Sequence, residues 1–476
     1  MRLLDSRRIT SGNRVPPSIR LEDLLAATGG HLIGPTTISS FQGAAVDSRH
    51  VTPGCCFVAL QGERTDGHAH VADAVRGGAT VALVERPVDA AGAALVEVPD
   101  TLLALQDLAA WWRSRSAVRV VGITGSTGKT IAKEITADVL GRCLEVLRNE
   151  GNLNSETGLP MTLLRLEPQH QVAVLEMSMY TTGEIARLAE IARPEVGVVL
   201  AVHPTHLQRA GSIEAIAQAK AELPAALPND GLAVLNADDP RVAAMDRVTA
   251  ASVLTFGLGE AADVRATDLE SQGIHGTAFT IRAPWGTRRL LNGTPGRHLV
   301  PHALAAAIVA QHFDVPLAEV AAALEQGSHA PHRMAVGEAV SGATIVDDTY
   351  NASPVSVAAA LDFLGETPVH VGRRRLAVLG DMLELGPDEE RLHREIGARA
   401  AHLVDGLVAV GERGRWIAEA ARAEGLDNTT TAGDAVEAVD VVARDLAPGP
   451  GDLLLVKASR GIGLEVVVQA LEGSGC

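Results

Sequence analysis

Aromatic side chains are scarce in this chain of 476 residues: Phe, Trp and Tyr together make up 3%. Aliphatic side chains must therefore fill its cores. Cysteine is also rare, with four residues, Cys55, Cys56, Cys143 and Cys476, in no CxxC spacing. That excludes a dense disulfide framework and fits a reducing compartment. Basic residues are outnumbered, 41 Lys and Arg against 58 Asp and Glu, giving a formal net charge of -17. Such a balance argues against non-specific binding to nucleic acid or to an anionic membrane, although a local basic pocket for phosphates stays open. No stretch of roughly 18 apolar residues runs without a charge or a breaker, so no membrane span is expected. The opening MRLLDSRRITSGNRVPPS lacks the apolar run of a signal peptide. A cytoplasmic, monomeric protein is the expectation.

What is present is ordinary globular composition, 46% hydrophobic and 21% charged. At roughly 150 residues per domain the length suggests about three domains. Neither tandem repeats nor low-complexity linkers interrupt the chain. Three blocks differ in character, with boundaries expected at 1–99, 100–327 and 328–476. The first carries short strands and helices, such as CFVAL (56–60) and ATVALVE (79–85). The second opens on a helical stretch at 101–116. Buried-strand runs follow at 117–124, 171–177, 196–202 and 232–237, with helical patterns at 130–141, 182–192 and 212–226 between them. Apolar strands alternating with helices predict a parallel sheet covered on both faces. The third block repeats the pattern with RLAVLGD (375–381), GLVAVG (406–411) and DLLLVKA (452–458). The expected class is α/β in three domains.

The strongest chemical signal is Gly125-Ser126-Thr127-Gly128-Lys129-Thr130, between a buried strand and a helix. Glycines let the backbone approach phosphate oxygens closely, and successive N–H groups at a helix N-terminus supply positive potential. Lys129 suits the β- and γ-phosphates of a nucleotide, and the Thr130 hydroxyl suits Mg²⁺. A longer phosphate loop would carry glycine at position 123, where this chain has Ile123. The loop is therefore the short GxxGKT form.

These residues, together with motifs in all three blocks, make the chain resemble the Mur ligases, ATP-dependent amide ligases of peptidoglycan precursor synthesis. The resemblance spans about residues 20 to 470. It implies a UDP-substrate-binding α/β domain, a central parallel-sheet ATPase domain and a C-terminal Rossmann-like domain. VDSRHVTPGCCFVALQGERTDGHAHV (46–71) is similar to the UDP-sugar-binding segment, which implies substrate roles for Ser48, Arg49 and Asp66. EGNLNSETGLP (150–160) implies further substrate contacts at Asn152 and Asn154. Glu176, at the end of an apolar strand, would hold Mg²⁺ with Thr130, and His206 matches a second metal ligand. Lys220 matches a lysine carbamylated in the family. Arg333 would neutralise the γ-phosphate and Asp348 would take the ribose. Within DDTYNASPVSVAAAL (347–361), Tyr350, Asn351 and Ser353 would line the amine-substrate or nucleotide face.

Three segments depart from the family pattern. LAVHPTH (200–206) stands for TNxGxxH, and HLVPHALAA (298–306) for HNxxNxxAA; Ser178 replaces a common glycine. Leu299 can neither donate nor accept at an adenine edge, and His302 does so in a different geometry from asparagine. His302 remains the nucleotide-facing candidate. The resemblance implies that ATP phosphorylates a carboxylate and that an amine then attacks the acyl phosphate. DDTYNASP and LGDMLELG (379–386) favour UDP-MurNAc-tripeptide and D-Ala-D-Ala as the two partners. A divergent ligase joining another amine to another carboxylate is the alternative. A third reading is a nucleotide-binding scaffold; Lys129, Thr130, Glu176, His206, Lys220 and Arg333 together disfavour it, because a degraded site would not keep every charged member.

Overall fold

The computed structural model describes residues 17–62, 65–204, 211–328 and 330–473. These fall into two compact units, one of 17–119, 149–173 and 187–193, the other of 120–148, 174–186 and 194–473. Among the described residues no helix is long and apolar enough to cross a membrane.

The first unit holds two sheets. Strands β1 (Ser18–Arg20) and β3 (Ser40–Gln42) pair antiparallel. Five more strands segment the next stretch: β2 (His31–Ile33), β4 (Ala44–Ala45), β5 (Cys56–Val58), β6 (Val81–Val84) and β7 (Ala94–Glu97). They form a sheet in the order β2-β7-β6-β5-β4, parallel except at β2. β5 and β6 are buried along their whole length, as the uninterrupted apolar runs require of strands covered on both faces. The helix Thr101–Ser114 also belongs to this unit. Its N-cap is Asp100, whose side chain accepts from the Leu103 amide.

The nine-stranded sheet is built from β8 (Arg119–Thr124), β9 (Val146–Arg148), β10 (Val172–Glu176), β11 (Val196–Val199), β12 (Leu232–Asn236), β13 (Ser252–Gly257), β14 (Val264–Ser271), β15 (Thr277–Ala283) and β16 (Gly286–Asn292). Their order is β16-β15-β14-β13-β12-β11-β8-β10-β9. The chain leaves β8 toward β9 on one side and later returns to β11 on the other. The connections therefore reverse at β8, and the carboxyl end of β8 is the place where an open α/β sheet receives its ligand. The expected strands at 117–124, 171–177, 196–202 and 232–237 all form, each slightly shorter. The antiparallel run β14-β15-β16 goes beyond the sequence reading. Its signal is the period-two burial of TAFTIRA in β15, where Thr277, Phe279 and Ile281 point inward.

A six-stranded sheet completes the second unit: β17 (Ala335–Glu338), β18 (Thr344–Asp347), β19 (Arg375–Gly380), β20 (Gly406–Val410), β21 (Thr429–Ala432) and β22 (Leu453–Lys457), in the order β17-β18-β22-β19-β20-β21. It is parallel except for the β17–β18 pair. Ile345, Leu376, Val378, Val408, Leu454 and Val456 anchor its aliphatic core.

Candidate active site

β8 is buried from Val120 onward, and it lies inside the sheet with β11 on one edge and β10 on the other. The chain then turns through Gly125-Ser126-Thr127-Gly128 into the helix Lys129–Leu140. Gly128 is the N-cap of that helix at φ 79°, in the left-handed region that a residue without Cβ enters freely. A Cβ added there would lie 2.0 Å from Nε2 of His302. Gly125 is similarly tight, since a Cβ would approach Leu200 Cβ to 2.9 Å. Both glycines are therefore required by close packing around the loop.

Ser126 ties the loop to the chain beyond β11. Its N–H donates to Ala201 O at 2.8 Å, its hydroxyl donates to His203 O at 3.0 Å, and it accepts from the His203 amide at 2.9 Å. Thr127 is half-buried in the same turn. This segment, divergent in sequence, is also held by Asp239, which accepts from the Val202 amide at 2.7 Å while capping the next helix. His206 lies outside the described residues.

Lys129 folds its ammonium back onto Gly125 O at 2.9 Å, capping the loop. Burial pulls its pKa below the usual lysine value, Glu176 raises it, and Arg333 lowers it further. Thr130 is buried at the centre of the cluster. Its hydroxyl donates to Glu176 Oε2 at 2.8 Å and accepts from Arg333 Nη2 at 2.8 Å. Glu176 closes β10 and is 2% exposed. Lys220 sits on the helix Ile213–Ala225, 3% exposed. Burial, and after it the charge of Lys129, hold its pKa well below the ordinary value. Two cations, a carboxylate and a hydroxyl thus converge at the switch point, with a second buried lysine close enough to feel the first.

On the helix Val300–His312, His302 faces Gly128, and His298 precedes it by about one turn. Burial lowers the pKa of each to about 4. The Nδ1 atoms of both are buried without a hydrogen-bond partner. Two neutral imidazoles therefore carry buried Nδ1 atoms without a partner, His302 against Gly128 of the loop and His298 in the field of Asp348 and Lys457.

The third block adds Arg333, whose guanidinium carbon lies 4.0 Å from the Tyr350 ring centroid. Asp348 lies at the end of β18, where Lys457 at the end of β22 donates to its Oδ2 at 2.5 Å and to Asn351 O at 2.8 Å. Asn351 Oδ1 accepts from the Ala352 amide at 2.9 Å. Ser353 is the N-cap of the helix Pro354–Glu366, in a capping box with Ser356. Lys457 and Arg460 were missed as individual residues. The signal for Lys457 is a charge closing the apolar run LLLV, in a strand buried along its full length, where only a paired charge is tolerated.

The remaining sequence candidates belong to the other compact unit. Arg49 spans Asp47 through Nε at 3.0 Å and Nη2 at 2.6 Å, and its side chain is 82% exposed. Ser48 is half-buried beside it. Asp66 caps a 3-10 turn, accepting from the His68 amide and ring, and pairs with Arg86. The second nitrogen of His68 accepts from the Glu85 amide at 2.8 Å. Asn152 is exposed and Asn154 half-buried, in the turn before the helix Gly158–Leu163.

Mg²⁺ prefers hard oxygen donors and keeps much of its shell for phosphates and water. The Thr130 hydroxyl and Glu176 carboxylate fit that demand. Among the described residues no cluster of three or more His, Cys, Asp or Glu could hold a metal by itself. A metal here would draw its other ligands from the bound nucleotide.

Family profiles match along the chain: Mur ligase family, catalytic domain, at 40–113; Mur ligase middle domain at 123–310; and Mur ligase, glutamate ligase domain, at 332–460. The chain is 36% identical over 461 residues to UDP-N-acetylmuramoyl-tripeptide–D-alanyl-D-alanine ligase of Escherichia coli K12, covering 96% of this chain and 99% of that one. It is 40% identical over 465 residues to the Mycobacterium bovis enzyme of the same name, covering 89% and 91%. Among solved structures it superposes on MurF from Acinetobacter baumannii with TM-score 0.85 at 33% identity, covering 96% of this chain and 99% of that one. MurF ligase from Thermotoga maritima in complex with ADP gives 0.78 at 29% identity, covering 91% and 97%.

Proposed function

Because the chain belongs to the Mur ligase family, we propose that it is the ATP-dependent ligase that joins D-Ala-D-Ala to UDP-MurNAc-tripeptide in peptidoglycan precursor synthesis. The observation that carries this reading is the cluster of Lys129, Thr130, Glu176 and Arg333 at the sheet's switch point, in a chain 36% identical to the E. coli ligase over nearly its full length.

The chemistry explains the residues. A free carboxylate does not form an amide at neutral pH, so the tripeptide carboxylate first takes the γ-phosphoryl group of ATP, releasing ADP. The amine of D-Ala-D-Ala then attacks the acyl carbon, and phosphate leaves as the new C–N bond forms. Carboxylate and triphosphate repel one another. Lys129 and Arg333 supply two positive charges that offset this repulsion, and the loop amides add a third source of positive potential. Thr130 and Glu176 would hold Mg²⁺, whose contribution when bound is charge neutralisation on the transferring phosphoryl group.

Lys220 is suited to carbamylation. Burial favours its neutral amine, the form that adds CO₂, and the carbamate would turn a buried amine into an anionic oxygen donor. His206 is assigned as a second metal ligand. His302 takes the nucleotide side of the loop, and Asp348 takes the ribose. Ser48, Arg49 and Asp66 serve the UDP moiety, and Asn152 and Asn154 the rest of that substrate. Tyr350, Asn351 and Ser353 border the amine substrate. The domains are 1–99 for the UDP substrate, 100–327 for ATP and 328–476 for the amine. The enzyme works as a cytoplasmic monomer.

Phosphate release from ATP tests the reading. With UDP-MurNAc-tripeptide present, release should require D-Ala-D-Ala. Release driven instead by a single amino acid would assign a different amine substrate.

A further inference from the structure

We propose that Tyr350 is a positioning residue that holds the Arg333 guanidinium on the phosphate-loop threonine. The inference rests on the ligase reading and adds a role that the donor cluster alone does not contain.

Arginine side chains are long and rotamer-rich, and an unconstrained one spends little time in a single orientation. Here Arg333 is constrained at both ends. At its tip, the guanidinium carbon stands 4.0 Å from the Tyr350 ring centroid, within cation–π range, while Nη2 donates to Thr130 Oγ1 at 2.8 Å. Arg460 braces the same ring from its own position. Its guanidinium carbon is 5.1 Å from the centroid and its Nη1 donates to the tyrosine hydroxyl at 3.3 Å.

At its base, Arg333 is flanked by two residues in the left-handed region, His332 at φ 59° and Met334 at φ 51°. Side chains with a Cβ adopt that conformation only when their surroundings impose it. The surroundings are visible. His332 Nδ1 bonds Asp347 Oδ2 at 2.7 Å, and the Tyr350 amide donates to His332 O at 3.1 Å. Asp347 is itself fixed by the Thr349 amide at 3.0 Å and the Thr349 hydroxyl at 2.7 Å. Met334 is 2% exposed. Asp347, Thr349 and Tyr350 thus close one bracket around Arg333, and the tyrosine is the part that touches the guanidinium.

One donor remains unused. Arg333 Nε is buried without a hydrogen-bond partner. A planar guanidinium with a spare donor beside Thr130 is suited to a phosphoryl group whose charge spreads over several oxygens, and such a group helps only if its direction is set beforehand. Tyr350 sets it.

Steady-state kinetics of the full-length enzyme test this, with Tyr350→Leu, Tyr350→Phe, Arg333→Ala and the double variant Tyr350→Leu/Arg333→Ala. Tyr350→Leu should lower kcat about tenfold, with the KM for D-Ala-D-Ala moving less than about threefold. Tyr350→Phe keeps the stack and should recover kcat to within about threefold of the parent enzyme. Because the tyrosine acts through Arg333, the double variant should be within about twofold of Arg333→Ala alone. Should Tyr350→Leu not fold, Tyr350→His, a smaller flat ring, takes its place with an intermediate kcat expected. Undiminished kcat in Tyr350→Leu, losses that multiply in the double variant, or a change confined to the dipeptide KM would each overturn the proposal while leaving the ligase reading intact. A parent enzyme that joins no D-Ala-D-Ala to the tripeptide would overturn both.

Discussion

His302 occupies the space that a side chain on Gly128 would need, and this contact joins two features that the sequence presented separately. The glycine was legible from the loop motif. The consequence of placing histidine in an asparagine position was not, because it depends on how deeply that helix is buried. Burial lowers His302 and His298 to about 4. The unfolded chain, with imidazoles near 6.5, binds protons over this interval that the folded chain refuses. Stability is therefore complete above about pH 6.5 and falls as pH is lowered toward about 4, at about 1 kcal/mol per pH unit per histidine. Urea denaturation at pH 7 and pH 5 checks this. His302→Asn, which cannot titrate there, should flatten the dependence by about half; an unchanged slope would show that His302 does not carry its share of the dependence. Burial was equally hidden for Glu176 and Lys220. Both were expected as site members from their motifs, but a sequence does not announce that their side chains are 2% and 3% exposed.

Elements were legible where their pattern is local. The strands around the phosphate loop announced themselves as short apolar runs, and their flanking helices by period. The β14–β16 run was harder, since half its residues face solvent and arginines interrupt β16. At the start of the helix Pro354–Glu366, Ser353 shows how one residue can be claimed by two roles. It was read as lining the amine-substrate or nucleotide face, and its hydroxyl is engaged in capping: it accepts from the Ser356 amide at 3.4 Å, while Ser356 Oγ accepts from the Ser353 amide at 2.9 Å. Pro354 at the first helical position fits the same geometry. Ser353→Ala should cost about 1 kcal/mol in stability. Ser353→Gly should cost only a few tenths of that. Chemical denaturation measures both. A loss of activity in Ser353→Ala without a loss of stability would show that the hydroxyl serves the substrate instead of the helix.

For the whole molecule, nucleotide binding and folding are linked. A ligand that binds only the native chain raises stability by about 2.7 kcal/mol when present at 100 times its dissociation constant. Mg-ATP should therefore raise the thermal midpoint by several degrees. Lys129→Ala should leave the ligand-free midpoint nearly where it was, because among the described residues the ammonium bonds only one loop carbonyl. It should also abolish most of the nucleotide-dependent rise and lower turnover by about 100-fold or more. Thermal scans with and without Mg-ATP separate the two effects; an undiminished rise in the variant would remove Lys129 from the phosphate site.

The amino-acid sequence by itself determined the short phosphate loop, the parallel-sheet strands that flank it and the carboxylate closing β10, because each is written in neighbouring residues whose conformational preferences act locally. Only the tertiary structure decided which distant partners meet. Arg333 reaches Thr130 across 203 positions and Lys457 reaches Asp348 across 109. These pairings depend on the path of the whole chain. No local preference encodes them, and burial rewards them only once the sheets are assembled and water has left the charges.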